Sequence, residues 1–354
     1  MNTFKGKLHE TAVKFPNTDI WMDSCGENEL DYALERGCVG ATSNPAIVGS
    51  VIRSELSIWE KRIKEMVAQR KDMTEEDVAW GLIYEIGALR SKKLLPLFKL
   101  SKGKKGRLSI QTNPKYYRDT VKMLEQAYIL NSLGENMQVK MPASEAGIKA
   151  MEEATYRGIS INATVSFTVA QAVAVAEAVE RGMKRRMAEG LSSETMSPVC
   201  TIMIGRTDDW MKKYTEEQDI IVDPECLEWS GVAVMKEAYR IYRERGYKTR
   251  LLSAAYRNHH HWSQLIGGDL SMTIPFNWHK KLNSSDIEVK SRIDEPVSKE
   301  YLDELGKISE FGKSFDEHGM EPDEFEKYGG FRATVSGFIS GYDDLLKLVR
   351  GYMI

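Results

Sequence analysis

Cysteine and histidine are scarce in this sequence of 354 residues, which has four of the first and six of the second. The cysteines form no CxxC pair and their spacings match no zinc-binding pattern, so we interpret them as reduced thiols of a cytoplasmic protein. The HExxH metal-binding motif is also missing, and we expect no metal site. The cysteines are Cys25, Cys38, Cys200 and Cys226.

The sequence also lacks an excess of charge and any long apolar run. Its formal net charge is −3, so neither a nucleic acid nor a membrane surface is an expected partner. No stretch of 18 apolar residues occurs, which predicts no transmembrane helix. Residues 1–15 lack the apolar core of a signal peptide. These absences predict a cytoplasmic globular protein.

What the sequence does have is an alternation of short apolar segments with helical ones. Such alternation is typical of parallel strands joined by helical crossovers. Eight units within about 260 residues indicate an α/β fold, a closed (β/α)₈ or TIM barrel. We assign residues 1–284 to the barrel and 285–354 to a helical extension packed on it. The predicted strands are 19–23, 38–42, 107–112, 137–141, 158–164, 199–204, 249–254 and 269–275.

Helical periodicity fills most of the remaining sequence. An N-terminal helix and loop are expected over 1–18. Trp278, Phe311 and Tyr352 are interpreted as exposed aromatic residues that would suit the interface of a homo-oligomer. The other predicted helices are 27–37, most of 46–102, 113–129, 146–157, 167–185, 231–245, 259–267, 301–311 and 339–348.

Lys140 lies at the end of the fourth predicted strand, and the chemistry of a barrel is found at that edge. One interpretation is a surface lysine whose stem runs along apolar neighbours. The other is a desolvated amine at the barrel mouth. Burial would lower its pKa and leave a neutral nucleophile that can form a Schiff base with a ketone.

The residues at the other strand ends favour the second interpretation. An iminium ion withdraws electrons, so an adjacent C–C bond can break, and the accompanying proton transfers need a carboxylate. Asp23 is the only acid at the predicted mouth. Arg206 and Arg257 can bind a terminal phosphate as bidentate forks. The predicted neutral polar residues of the site are Asn44, Gln111, Asn162, Thr164, Ser166 and Thr201.

Several of these residues stand in motifs that resemble the transaldolase family, within the class of aldolases that use a lysine Schiff base. The matches occur in the family's order between residue 20 and about residue 275. The first two are the most specific. The motifs are WMDS at 21–24 with GATSNPAI at 40–47, VKMPASEAGI at 139–148, GISINAT at 158–164, GR at 205–206 and AYRN at 255–258.

This resemblance implies a (β/α)₈ barrel that transfers a dihydroxyacetone unit from a ketose to an aldose without a cofactor. The implied reaction belongs to carbohydrate metabolism, as in the pentose phosphate pathway. The implied roles are Lys140 as Schiff-base nucleophile and Asp23 as general acid and base. Thr164 would order the catalytic water. Asn44 and Asn162 would bind the dihydroxyacetone unit, and Arg206 and Arg257 the anionic tail.

Two departures from the family's pattern concern the fate of the enamine, which C–C cleavage leaves attached to Lys140. Gln111 stands where many transaldolases have a glutamate; it can hold a water but cannot take its proton. Related fructose 6-phosphate or dihydroxyacetone aldolases also have glutamine there, together with a tyrosine at the position of Met203. Because Met203 has no hydroxyl to protonate the enamine, we expect transfer rather than release, with aldol release as the alternative.

A third departure from the family's pattern concerns the residues that would bind the anionic tail of the substrate. Ala255 stands where a serine often assists phosphate binding, and three histidines follow at 259–261. One interpretation is a helix start with exposed imidazoles. The other is that one imidazole reaches the mouth and changes the accepted anion, for example to the sulfonate of 6-deoxy-6-sulfofructose. The competing class of function is a non-catalytic barrel that binds a sugar phosphate.

Overall fold

Eight parallel strands close into a barrel in the computed structural model, which describes residues 4–70 and 72–354. Each strand pairs with its neighbour in sequence, and the first also pairs with the last. The predicted (β/α)₈ barrel is therefore confirmed. The strands are Thr18–Met22 (β1), Gly40–Thr42 (β2), Arg107–Gln111 (β3), Met137–Pro142 (β4), Ile161–Ser166 (β5), Val199–Ile202 (β6), Arg250–Ser253 (β7) and Leu270–Ile274 (β8).

Helices surround this barrel. Residues 1–3 of the predicted N-terminal helix, and residue 71 within 46–102, lie outside the described residues. The helices are Lys7–Lys14 (α1), Glu27–Leu34 (α2), Pro45–Ser54 (α3), Leu56–Gln69 (α4), Glu75–Leu100 (α5), Thr120–Ser132 (α6), Glu145–Tyr156 (α7), Val169–Ala188 (α8), Ile204–Glu217 (α9), Pro224–Leu227 (α10), Ser230–Arg245 (α11), His260–Ser263 (α12), Phe276–Asn283 (α13), Lys299–Leu305 (α14), Ser309–Phe315 (α15) and Gly329–Arg350 (α16).

Polar side chains begin several of these helices directly after the strands. Asn44 Oδ1 accepts the N–H of Ile47 at 2.9 Å, and Pro45 opens α3. Ser144 Oγ accepts the N–H of Gly147 at 2.9 Å at the start of α7. Each cap satisfies an N–H that the helix leaves free, so the chain turns sharply from strand to helix at the barrel mouth.

Helix α9 is the main element that was not predicted. The apolar residues Met203 and Ile204 extend the pattern of β6, so the predicted strand ran to 204. The strand in fact ends at Ile202 and a helix begins at Ile204. Arg206 consequently lies in the first turn of a helix. The short helices α10 and α13 were also missed.

Other boundaries were wrong for local reasons. Pro114 opens only a single 3₁₀ turn, Pro114–Tyr116. Helix α6 starts later, because the side chain of Asp119 accepts the N–H of Lys122 at 3.0 Å. The segment predicted as one helix at 301–311 is divided between α14 and α15.

The C-terminal segment packs into the apolar core that surrounds the barrel. Tyr342 of α16 is buried and its hydroxyl accepts a hydrogen bond from Trp80 Nε1 at 2.9 Å. Phe311 is 3% exposed, so the expectation of an exposed interface residue there is wrong. The division of the chain at 284 stays a prediction.

The four cysteines are free and buried. Burial raises the pKa of Cys25 to about 11 and that of Cys200 to about 12, so these thiols stay protonated and unreactive near neutral pH. None of the helices in the described part of the chain has the length and apolar character needed to cross a membrane.

Candidate active site

Lys140 lies inside the barrel and is 3% exposed. In the parallel register it pairs with Gln111 of β3 and with Asn162 of β5, so the three side chains belong to one layer. Burial lowers the pKa of Lys140; the carboxylate of Asp23 opposes this shift and the guanidinium of Arg206 adds to it. The surface interpretation is excluded.

Apolar side chains fill the barrel interior near this layer. Trp21, Val199, Leu252 and Ala254 form a buried cluster of their own. Desolvation is the largest influence on the pKa of Lys140, because the amine is itself buried. Ala254 also lines the cavity at the mouth.

Asp23 follows β1 and faces the same cavity as Lys140. Its Oδ1 accepts a hydrogen bond of 2.7 Å from Thr42 Oγ1, which lies 2.7 Å from Thr273 Oγ1. Since Thr42 gives its only proton to the carboxylate, Thr273 donates to Thr42. This chain across β1, β2 and β8 orients the carboxylate. Sequence reasoning missed Thr273, because only the closure of the barrel brings it there.

Asn162 is fully buried and held from both sides. Its Nδ2 donates to Ser109 Oγ at 2.9 Å, and its Oδ1 accepts from Thr201 Oγ1 at 2.7 Å. The amide orientation is therefore fixed, with one N–H of Nδ2 left for another acceptor. Thr201 acts through Asn162.

Gln111 and Thr164 flank Lys140 on the neighbouring strands. Gln111 Oε1 and Thr164 Oγ1 are both buried, and neither has a hydrogen-bond partner among the described residues. Buried polar atoms are normally satisfied by protein or by an internal water. This pair is therefore suited to hold a water next to the amine.

Ser166 is the one predicted site residue that the fold turns away from the mouth. Val165 has a φ of +53°, and the β5–β6 register shifts between Ala163 and Ser166. This bulge reverses the alternation of side chains. Ser166 Oγ consequently lies 3.9 Å from Cys200 Sγ, on the helix-facing side. Its predicted contact with substrate has no support in this geometry.

Arg206 and Arg257 lie together at one side of the cavity. Burial lowers the pKa of Arg206, and the charge of Arg257 adds to this effect. The guanidinium of Arg206 lies 5.4 Å from the ring centroid of Phe338 in α16. Arg257 binds Asp209 through two bonds, Nε to Oδ1 at 3.0 Å and Nη2 to Oδ2 at 2.7 Å.

Close backbone packing brings the two arginines together. A Cβ at Gly205 would lie 1.7 Å from the carbonyl oxygen of Ala255, so only glycine fits there. Ala255 itself has a φ of +65°, which is unusual for a residue with a Cβ. No side chain in the described part of the chain caps α9. The N–H of Arg206 donates to the carbonyl of Met203 at 2.9 Å, so the N–H groups of Ile204 and Gly205 are the ones suited to meet an anion.

The cavity has a volume of about 700 Å³ and continues beyond the predicted residues. Met203 and Ala255 both line it, so these two departures from the family pattern face the substrate region. Sequence reasoning missed a second side of the cavity, formed by α2, α3 and α13. The site prediction considered residues at the ends of strands, and these residues lie in helices. They are Glu29, Ser50, Ser54, Phe276 and Asn277.

The three histidines behave differently from one another. His259 is exposed, as expected for the start of a helix. His260 is half-buried, with its ring 4.4 Å from that of Trp229. His261 is fully buried, so the expectation of exposed imidazoles is wrong for this residue.

Comparison with known proteins decides the family. Residues 20–327 match the model of the transaldolase/fructose-6-phosphate aldolase family. The chain belongs to this family. The transaldolase of Renibacterium salmoninarum is 27% identical over 240 residues, covering 64% of this chain and 62% of the relative. The transaldolase of Mycobacterium tuberculosis is 28% identical over 251 residues, covering 66% and 64% respectively.

The transaldolase of Acidothermus cellulolyticus is a third relative, 26% identical over 244 residues, with 64% of this chain and 62% of the relative aligned. This chain thus matches less than two thirds of the length of each of the three relatives. The family membership rests on the match to the family model.

Proposed function

We propose that the chain is a transaldolase that moves a dihydroxyacetone unit from a ketose with an anionic tail, such as fructose 6-phosphate, to an aldose phosphate. The observation that carries this proposal is Lys140, a buried amine of lowered pKa. It shares one cavity with the carboxylate of Asp23 and the guanidinium groups of Arg206 and Arg257.

In the proposed mechanism, neutral Nζ of Lys140 attacks C2 of the ketose, and loss of water from the carbinolamine gives an iminium ion. Asp23 accepts the proton of the C4 hydroxyl as the C3–C4 bond breaks. The bonding electrons pass to the iminium nitrogen, and an aldehyde departs. The enamine then attacks the acceptor aldehyde, and Asp23 returns its proton to the new C4 hydroxyl. Hydrolysis of the resulting iminium frees Lys140. The substrate supplies all the electrons, so we propose no cofactor.

The remaining residues divide between the two ends of the ketose. Asn44, which lines the cavity, and the free N–H of Asn162 bind the dihydroxyacetone unit. Gln111 and Thr164 hold the water that moves protons near Lys140. The tail binds Arg206 and Arg257, where the N–H groups of Ile204 and Gly205 at the start of α9 add further donors.

The nearest alternative is an aldolase that releases free dihydroxyacetone. Gln111 favours it, because the related fructose 6-phosphate or dihydroxyacetone aldolases that this chain resembles also have a glutamine at this position. Met203 opposes it: this side chain lines the cavity and has no hydroxyl that could protonate the enamine. We therefore place transfer first.

The tail is the second open choice. Ala255 faces the cavity without a hydroxyl, so the anion contacts come from guanidinium and backbone N–H groups. A sulfonate offers these donors the same three acceptor oxygens. Turnover of fructose 6-phosphate compared with 6-deoxy-6-sulfofructose distinguishes the two, and a clear preference for the phosphate removes the sulfonate.

One assay separates these functions. The protein is given fructose 6-phosphate with and without erythrose 4-phosphate, and the products are identified by mass spectrometry. Transfer predicts a seven-carbon ketose phosphate only when the acceptor is present, and no activity in Lys140→Ala. Dihydroxyacetone without acceptor would favour the aldolase. Binding without turnover would favour the non-catalytic barrel.

This activity suggests a setting for the protein. Exchange of three-carbon units among sugar phosphates belongs to carbohydrate metabolism such as the pentose phosphate pathway, and we propose a cytoplasmic location and small-molecule partners. Fractionation of the source cells tests the location. Light scattering tests for the homo-oligomer.

A further inference from the structure

His261 is a buried imidazole with both ring nitrogens engaged. Its Nδ1 lies 3.0 Å from the backbone nitrogen of Arg257, and its Nε2 lies 2.7 Å from Oδ2 of Asp208. Both His261 and Asp208 are 0% exposed. A backbone N–H can only donate, so Nδ1 accepts the hydrogen bond from Arg257. The ring proton is therefore on Nε2, which donates a hydrogen bond to Asp208.

Asp208 is fixed in turn by other elements. Its Oδ1 accepts hydrogen bonds of 2.8 Å from Ser230 Oγ and from the backbone N–H of Gly231, at the start of α11. Asn258 Nδ2 lies 3.4 Å from Oδ2. Because Asp208 lies two residues after Arg206 on α9, this network joins the helix of one arginine to the loop of the other.

We propose that His261 and Asp208 are positioning residues for the anion site: the dyad holds the backbone of Arg257 so that its guanidinium meets the tail of the substrate together with Arg206. The proposal rests on the proposed function for the identity of the substrate. It does not require His261 to touch the substrate.

The loop that carries Arg257 needs such a support. It leaves β7 through Ala255 with a φ of +65°, a conformation that a residue with a Cβ adopts at a cost. The side chain of Arg257 is 39% exposed, and its bidentate partner Asp209 is 46% exposed, so this surface pair alone contributes little. The part-buried bond from Arg257 N–H to His261 Nδ1 adds a constraint at Arg257 itself.

Two substitutions test the dyad. His261→Ala removes both bonds. Asp208→Asn keeps the shape but presents an N–H to Nε2, so the imidazole must place its proton on Nδ1, opposite the N–H of Arg257. His261→Asn is the conservative variant, because its amide oxygen takes the approximate place of Nδ1. His259→Ala is the matched control, since His259 is exposed and its ring lies 3.4 Å from Ser263 Oγ and 4.1 Å, between ring centroids, from His260.

The readout compares donors with and without the tail. For His261→Ala and Asp208→Asn, loss of the hydrogen bond that holds the N–H of Arg257 predicts a KM for fructose 6-phosphate raised about fivefold. Turnover of fructose, which has no tail, is expected to be unchanged. His261→Asn is expected to recover most of the affinity, and His259→Ala to match the wild type. Equal losses for both donors, or no loss for either, would overturn the proposal.

Binding of inorganic phosphate provides a readout that does not depend on catalysis. Calorimetry is expected to give a Kd about fivefold higher in Asp208→Asn than in the wild type. An unchanged Kd would contradict the role of the dyad. If the wild type forms no Lys140 adduct but the Kd still rises, the proposed function fails and the positioning role stands. If His261→Ala does not fold, the KM and Kd of Asp208→Asn test the role of the dyad.

Discussion

At the scale of single residues, the proposed Schiff-base mechanism depends on the protonation state of Lys140. The attacking amine must be neutral, so the rate of adduct formation rises with pH through the lysine pKa. Burial lowers that pKa from the ordinary value of 10.5. We therefore expect the rising limb of the pH profile of kcat/KM to lie below pH 10.5.

Two substitutions are expected to move this limb in opposite directions. Arg206 lowers the pKa of Lys140 and Asp23 raises it. Arg206→Gln should therefore shift the limb to higher pH, and Asp23→Asn to lower pH. The measurement is the rate of borohydride-trapped adduct formation with dihydroxyacetone, which has no tail to bind. Shifts of the same sign would contradict the electrostatic argument.

The same burial has a cost in stability. A lysine of lowered pKa binds its proton more tightly in the unfolded chain, so its charged form destabilises the fold at low pH, and this effect fades as pH rises toward 10.5. Lys140→Met is expected to raise the free energy of unfolding by about 0.5–2 kcal/mol at pH 7. This gain in the free energy of unfolding should be smaller when urea denaturation is measured at alkaline pH. A loss of stability would show that the lysine is well accommodated.

At the scale of elements, helix ends give a prediction separate from catalysis. Thr74 and Asp77 form a reciprocal capping box at the start of α5, with Thr74 N to Asp77 Oδ2 at 2.8 Å and Asp77 N to Thr74 Oγ1 at 3.2 Å. Thr74→Ala should lower stability by about 1 kcal/mol. Turnover per folded molecule is expected to stay the same. Thr74→Ser, which keeps the hydroxyl, is the control in urea denaturation.

Elements also show where reasoning from sequence ends. The strand carrying Lys140 and the acid after β1 could be predicted, because apolar runs that stop at a polar residue are local patterns. Helix α9 could not, since Met203 and Ile204 fit a strand equally well. Ser166 was misplaced because the bulge at Val165 has no sequence signal.

At the scale of the whole molecule, the face opposite the mouth is expected to serve stability. Asp19 is 3% exposed and binds Arg250 Nη1 at 2.7 Å and Lys105 Nζ at 3.0 Å. Asp19→Ala should leave these cations without their buried partner and cost about 3 kcal/mol. KM is expected to be unchanged.

The control for Asp19 is Asp303→Ala, which breaks the exposed ion pair with Lys299. Little change in stability is expected there, because water screens such pairs. If both variants lost the same stability, burial would not be the deciding factor. A raised KM in Asp19→Ala would show that the two ends of the barrel are coupled.

Long-range contacts explain the rest of what the sequence left open. Thr42 ends β2, Asp23 follows β1 and Thr273 lies in β8, so the three side chains meet only when β1 pairs with β8. The link from His261 to Arg257 needs a buried imidazole in a run of three, and the run itself does not say which one is buried. Strand order was therefore predictable, whereas the contacts between non-neighbouring segments were not.

Borohydride reduction in the presence of fructose 6-phosphate tests the central claim most directly. The account predicts a stable adduct that peptide mass mapping places on Lys140. It also predicts no adduct in Lys140→Ala, although that variant should still bind inorganic phosphate. An adduct on another lysine, or no adduct in the wild type under turnover conditions, would contradict the Schiff-base mechanism.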